Sequence, residues 1–239
     1  MKIYMDLHTH TIASGHGYST LKENIEAAQE AGLAYLGLSE HAPAMPGGPH
    51  PFFFANYKCI PREYGSLRLL CGVEANIMDY EGSLDLEQGI LQRMDYVIAS
   101  MHVVCVKPGS REENTRASIC AMQNPFVTIL GHPDDSRYPL DYEELVKAAK
   151  RERVALEVNN SSLKPQNVRQ NGRENIRTML RLCKKYDVPV LLGTDSHISC
   201  MVGHFEEALA VLGEVDFPGE LVMNTNPENI NQLMLAKSG

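Results

Sequence analysis

Nine histidines punctuate this 239-residue chain, and most stand where a strand would hand over to a loop. His8 and His10 come first, in Met5-Asp6-Leu7-His8-Thr9-His10. The run Lys2 to Leu7 is apolar enough for a buried strand, and side chains two apart on extended backbone point the same way. Two imidazoles side by side suit a divalent transition metal and little else. His41 follows Glu40 after the run Ala34 to Ser39, His102 follows Tyr96 to Ser100, and His132 follows Val127 to Leu130. His197 closes the turn after Val188 to Leu192, and His16 lies in the loop after the first strand. Glu74 and Asp195 are acids at the ends of otherwise apolar runs. Any one of these residues alone reads as an ordinary loop residue; their shared position argues for chemistry.

Seven imidazoles and two carboxylates exceed the three or four protein ligands that one zinc needs. Two or three ions are implied, keeping about three ligands each, or more if Glu74 bridges two of them. Coordination then stays open for water or substrate, as in catalytic rather than structural sites. Three divalent ions against two carboxylates leave a formal charge of about +4, which suits a phosphate.

The elements that must carry these residues alternate between strand and helix. Thr20-Leu21-Lys22-Glu23 has the pattern of a capping box, opening a helix that stops at Gly32. A Pro/Gly-rich loop at Ala42 to Pro51, with three phenylalanines after it, makes a wall of a pocket mouth. A third strand spans Leu67 to Val73, and Asp85-Leu86-Glu87-Gln88 starts a short helix to about Met94. Helices are predicted from about Glu112 to Met122, from a cap at Asp141 to Glu152, and from about Glu174 to Tyr186. A strand at Val154 to Val158 precedes Asn159-Asn160-Ser161-Ser162, and Asn226-Pro227 starts a terminal helix. Seven βα units in one chain of this size predict an α/β fold with a closed parallel barrel, TIM-like, distorted and one strand short. Residues 1–239 read as one domain. In such a barrel the strand ends share the rim that carries chemistry.

A net charge of -8 with no Lys/Arg cluster excludes a general binder of nucleic acid or anionic membrane. Attraction for an anion must come from metals. Six cysteines without a CxxC pair read as reduced residues of a cytoplasmic protein. Cys105 and Cys200 each follow a singled-out histidine by three residues, but the histidine and carboxylate set already suffices. Asp6 interrupts the apolar N-terminus against a signal peptide, and no run reaches membrane-spanning length. Lys107, Arg137, Arg169 and Arg173 fall in rim-side loops from which they could grip a phosphate, with solvated surface charge the better reading of any one. His50 could touch substrate at the mouth but reads better as a plain loop histidine, and His204 as a helix start or a support for a ligand.

Asp6-Leu7-His8-Thr9-His10-Thr11, Glu40-His41, Glu74-Ala75-Asn76-Ile77, Gly131-His132-Pro133 and Thr194-Asp195-Ser196-His197 resemble the PHP (polymerase and histidinol phosphatase) family. Within it the chain is most similar to small bacterial trinuclear-zinc phosphatases related to a swarming-associated protein. Glu157-Val158-Asn159-Asn160-Ser161-Ser162 and Asp216-Phe217-Pro218 extend the likeness. The resemblance implies a distorted (β/α)7 barrel and three divalent ions, zinc first, with manganese or iron as alternatives. It implies one ion on His8, His10, Glu74 and Asp195, a second on Glu74, His102 and His132, and a third on His16, His41 and His197. Asp134 and Asp135 depart from the small or neutral residues of relatives, and two acids there would repel phosphate.

The expected activity is hydrolysis of a small phosphate monoester by a hydroxide held between ions at Glu74, with no protein nucleophile. Three rivals stand beside it. A phosphodiesterase or nuclease is disfavoured for long nucleic acid by the acidic balance. An amidohydrolase would want a lysine at a strand end, and none is suitably placed. A non-catalytic metal store conflicts with about three ligands per ion.

Overall fold

The structure, a computed structural model, describes residues 1–235. In chain order its strands and α-helices are β1 (Met5–Asp6), α1 (Leu21–Glu30), β2 (Tyr35–Leu38), α2 (Pro51–Ala55), β3 (Glu63–Tyr64), β4 (Leu67–Cys71) and β5 (Val73–Asn76). There follow α3 (Gln88–Leu91), β6 (Val97–Ser100), α4 (Arg111–Met122), β7 (Ile129–Leu130), α5 (Tyr142–Glu152) and β8 (Ala155–Asn159). The last are α6 (Gly172–Tyr186), β9 (Val190–Gly193), α7 (Glu206–Glu214) and α8 (Asn229–Leu235). The fold is α/β, and among the described residues its strands pair in parallel except in the β3–β4 hairpin, with one further antiparallel bridge between Ile77 and Leu84.

The strands form two sheets, ordered β1-β2-β4-β3 and β5-β6-β7-β8-β9, where the sequence predicts one closed sheet. The run predicted as a third strand divides at Gly72: β4 pairs with β2 (Leu38 opposite Cys71), and β5 pairs with β6 (Glu74 opposite Ile98). A β-carbon at Gly72 would lie 2.4 Å from the Tyr96 ring, so only glycine lets the chain pass there. Two isolated parallel bridges connect the sheets, His41 with Glu74 and Thr9 with Ser196. The first joins two residues of the site, and the second joins Thr9, between His8 and His10, to Ser196, between Asp195 and His197.

Side-chain alternation divides the core. The outer cluster takes Val97, Ala99, Leu130, Leu156, Val158, Val190 and Leu192 from the strands and packs them against helices. A smaller cluster gathers Met5, Leu7 and Leu70 from one sheet with Ile98, Ile129, Ala155 and Leu191 from the other. Along β8, Leu156 and Val158 face outward, which leaves Glu157 and Asn159 on the inner face beyond Ala155. Along β5, Val73 and Ala75 likewise face outward and Glu74 and Asn76 inward.

The helix signals fare unevenly. Thr20 and Glu23 form the expected capping box, and Asp141 caps α5 by accepting from the Glu143 and Glu144 amides. Asp85 does not start α3. It accepts instead from the amides of Ala44 (2.8 Å) and Asn76 (2.8 Å), tying the Pro/Gly-rich loop to β5. The terminal helix begins at Asn229 rather than at Pro227. His50 is exposed and caps α2 through its Nδ1, a more specific role than a plain loop histidine.

Candidate metal centre

All nine predicted residues come to one place, and Glu74 is at its middle. Its Oε1 lies 2.9 Å from His132 Nε2, 3.3 Å from His102 Nε2 and 3.4 Å from His8 Nε2. Its Oε2 lies 2.6 Å from His41 Nδ1 and 3.5 Å from His10 Nε2. Asp195 Oδ1 is 3.4 Å from His10 Nε2 and 3.7 Å from His8 Nε2. His16 Nε2 sits 3.2 Å from His41 Nε2, and the rings of His10 and His197 stack at 4.3 Å. The contact of His41 with Glu74 draws that histidine toward the carboxylate as well as toward His16.

The donor atoms fit metal ions. His8 Nε2, His10 Nε2, His41 Nδ1, His197 Nε2 and Glu74 Oε2 are buried and crowd one another without hydrogen-bond geometry, His41 Nδ1 and Glu74 Oε2 even at 2.6 Å, a costly state for polar atoms that nothing else binds. Two ligand atoms on a tetrahedral zinc, with bonds near 2.1 Å, stand roughly 3.4 Å apart, and most nitrogen–oxygen separations given above are close to that. Three overlapping triads have ligand atoms mutually within 4.8 Å: His8/His10/Glu74, His41/Glu74/His102 and His10/His41/His197.

Other side chains aim these donors. His8 Nδ1 bonds Glu157 Oε1 at 2.6 Å, His10 Nδ1 meets Ser14 Oγ at 3.0 Å, and His102 Nδ1 meets Asn76 Oδ1 at 2.7 Å. Each contact turns Nε2 inward, as partners of metal-binding imidazoles do. Ser14 in turn donates to Glu40 (2.5 Å), whose carboxylate also accepts from Thr11. Glu157 Oε2 accepts the His132 amide at 2.7 Å. His132 (φ 27°) and Asp195 (φ 52°) have left-handed backbone, a strain that only surrounding contacts sustain. A β-carbon at Gly193 would fall 1.9 Å from Glu157 Oε1, so this glycine gives Glu157 its room.

Charge is strongly perturbed here. Burial raises the cost of ionising Glu74, yet His41, His102 and His8 outweigh it and hold the carboxyl well below its ordinary range. Asp195 is likewise held low against burial by His8 and Arg169. Burial disfavours the His8 imidazolium, but Glu157, Glu74 and Asp195 overcome that and push it up. Burial takes His10 well down and His102 to about 4.

Arg169 departs most from expectation: it is no solvated surface charge. Its side chain is 15% exposed, with Nη2 on Asp195 Oδ2 at 2.9 Å and Nη1 on Ser162 Oγ at 2.8 Å. Asn159 Nδ2 also reaches Asp195 Oδ2, leaving Oδ1 for the histidines. Arg137 is tied to Asp135 at 2.5 Å, and Arg173 to Glu207 and Glu214. Asp135 is thereby neutralised, and burial lifts the Asp134 carboxyl to about 6, so the expected repulsion of phosphate by this pair is weakened. His204 is half-exposed and bonds Glu206, away from the cluster. Of the supporting residues, Glu40, Asn76 and Glu157 stand in the motifs quoted from sequence without a role assigned to them, and Ser14 in none. For Glu157 the signal existed: a charged residue inside an apolar strand must find a buried partner.

Residues 6–161 match the PHP domain family. The chain belongs to that family. Among PHP relatives, it is 44% identical over 237 residues to a protein of Clostridium novyi named probable phosphatase, covering 99% of this chain and 96% of that one. It is 45% identical to another so named from Clostridium acetobutylicum, with the same coverage. The histidinol phosphate phosphatase of Lactococcus lactis, solved with zinc, L-histidinol and phosphate, superposes with a TM-score of 0.57 at 18% identity, over 91% of this chain and 95% of that one. Among the described residues no helix is long and apolar enough to cross a membrane.

Proposed function

We propose that this PHP protein is a metal-dependent phosphatase that hydrolyses small phosphate monoesters at a site for three divalent ions. The observation that carries the reading is the set of buried donor atoms of His8, His10, His41, His197 and Glu74, which converge without hydrogen-bond geometry and with no lysine among them. His8, His10, His16, His41, Glu74, His102, His132, Asp195 and His197 would hold the ions, with Glu74 shared because both its oxygens face imidazoles. Zinc is the first candidate, supported by the imidazole-rich donor set and by its presence in the Lactococcus lactis enzyme; manganese and iron suit such a site too. Ions bound there supply Lewis acidity and acidify water.

The chain's own residues orient and exclude. Glu157, Ser14 and Asn76 fix the faces of His8, His10 and His102. Arg169 and Asn159 hold one oxygen of Asp195, and Glu157 holds the strained turn at His132. The two bridges between sheets, and the apolar cluster both sheets share, support reading the architecture as one domain, a distorted (β/α)7 barrel with the site at its rim. The six free cysteines support a reducing, cytoplasmic setting, and the acidic balance argues against long nucleic acid.

Turnover of a panel of monoesters, diesters and carboxamides, read as released inorganic phosphate, alcohol and amine respectively, before and after chelation, tests this. Monoesters should be preferred and chelation should abolish turnover. Diester or amide preference would favour a rival, and chelator-resistant turnover would refute metal dependence.

A further inference from the structure

Two cavities flank the cluster, and one is the more polar. The one beside Asp195 and His197, about 530 Å³, is lined by Ser161, Lys164, Gln166, Thr194 and Ser196, with Val168, Ile198 and Met201 beside them. The other, about 260 Å³, opens directly beside His102 and His132. Its walls are Met45, Ile77, Met101, Val104, Leu130 and Leu140. Charge enters it only through groups already engaged: Arg137 is held by Asp135 at 2.5 Å, and Arg169 by Asp195 at 2.9 Å. Among the described residues, no uncommitted carboxylate lines it to meet an ammonium group, and no uncommitted arginine to meet an anion. At its mouth Val104 and Val168 are 58% and 77% exposed, so apolar surface is held in water until something covers it.

We propose that this cavity receives the alcohol portion of the substrate, and that the preferred esters carry an uncharged apolar alcohol, a single aromatic ring or a short branched chain. This rests on the phosphatase reading. A phosphoryl group among the nine donors, with its ester oxygen toward His102 and His132, directs its substituent into this space. The volume is near the lower limit of ligand pockets, roughly 300 Å³, which suits one ring better than a nucleoside. A charged alcohol would shed its hydration there without a free partner.

Stable phosphonates separate binding from turnover. Calorimetry on the zinc-loaded full chain should compare benzylphosphonate, methylphosphonate and aminoethylphosphonate. Benzylphosphonate is expected to bind roughly tenfold tighter than methylphosphonate or better, and aminoethylphosphonate no tighter than methylphosphonate. Val104→Asn and Val168→Asn, both at exposed positions, should each lower the benzyl-to-methyl ratio severalfold. A wild-type ratio near one, a ratio unmoved by both variants, or no phosphonate binding would overturn the inference. If the ratio is as expected but no phosphate ester is turned over, the apolar subsite stands and the phosphatase reading fails. If esters are hydrolysed and the ratio is near one, the reverse holds.

Discussion

Glu157 grips His8 by its Nδ1 atom at 2.6 Å while its other oxygen accepts the backbone amide of His132 at 2.7 Å. One buried carboxylate thus aims a donor from β1 and fixes the loop after β7. In Glu157→Gln a single acceptor oxygen must replace two, so one of these contacts meets an NH2 group instead. Metal retention is expected to fall roughly tenfold to a hundredfold, measured by competition with a chromophoric chelator. Unchanged affinity would exclude a role for Glu157 in orienting the donors.

Gly193→Ala probes the same carboxylate from outside. The added methyl would sit 1.9 Å from Glu157 Oε1 and 3.0 Å from His8 Cβ, and neither neighbour can yield without moving the other. The variant is expected to lose metal affinity in the same direction as Glu157→Gln and to melt at a lower temperature. Wild-type affinity and melting would show that Glu157 has more freedom than this contact allows.

Glu74→Gln should leave a folded chain, by circular dichroism, that has lost most of its turnover. A neutral amide cannot serve imidazoles on both sides as a carboxylate does, and activity is expected to drop on the order of a hundredfold. Near-wild-type turnover would remove Glu74 from the centre of the site.

Much of this was legible because metal-binding residue types stand out at the ends of apolar runs: His8, His10, His41, His102 and His132 each follow one. Less legible was whatever depends on which strand pairs with which. The run from Leu67 reads as one strand, and only pairing with β2 on one side of Gly72 and β6 on the other reveals two. Asp85 has the residue type of a helix cap, but tertiary contacts with Ala44 and Asn76 claim it. Arg169 lies 26 residues before Asp195 in a polar loop, and no local pattern announces that they meet.

The metal-stripped protein should lose stability on acidification. Burial holds His102 at about 4 and His10 well below its ordinary value. A group lowered on folding contributes stability above its unfolded value, about 6.5, which is lost as pH falls toward the folded value. His8, pushed up, has the opposite sign: its contribution is present below about 6.5 and fades as pH rises. Glu74, Asp195 and Glu157 are held low, so their contributions vanish only below about 4.5. Burial lifts the Asp6 and Asp134 carboxyls to about 6, so they gain stability as pH falls toward 5 and, with His8, oppose the lowered His10, His16 and His102. Melting in chelator is therefore expected to fall chiefly below about pH 4.5, where Glu74, Asp195 and Glu157 take up protons, the slope bounded by about 1.4 kcal/mol per pH unit per group. A flat or inverted profile below that pH would contradict this balance.

Metal content tests the central claim most directly. Elemental analysis of protein purified without chelator should find between two and three transition-metal ions per chain, because nine ligand-type residues share one place around Glu74. One ion or fewer per chain would contradict a multinuclear site.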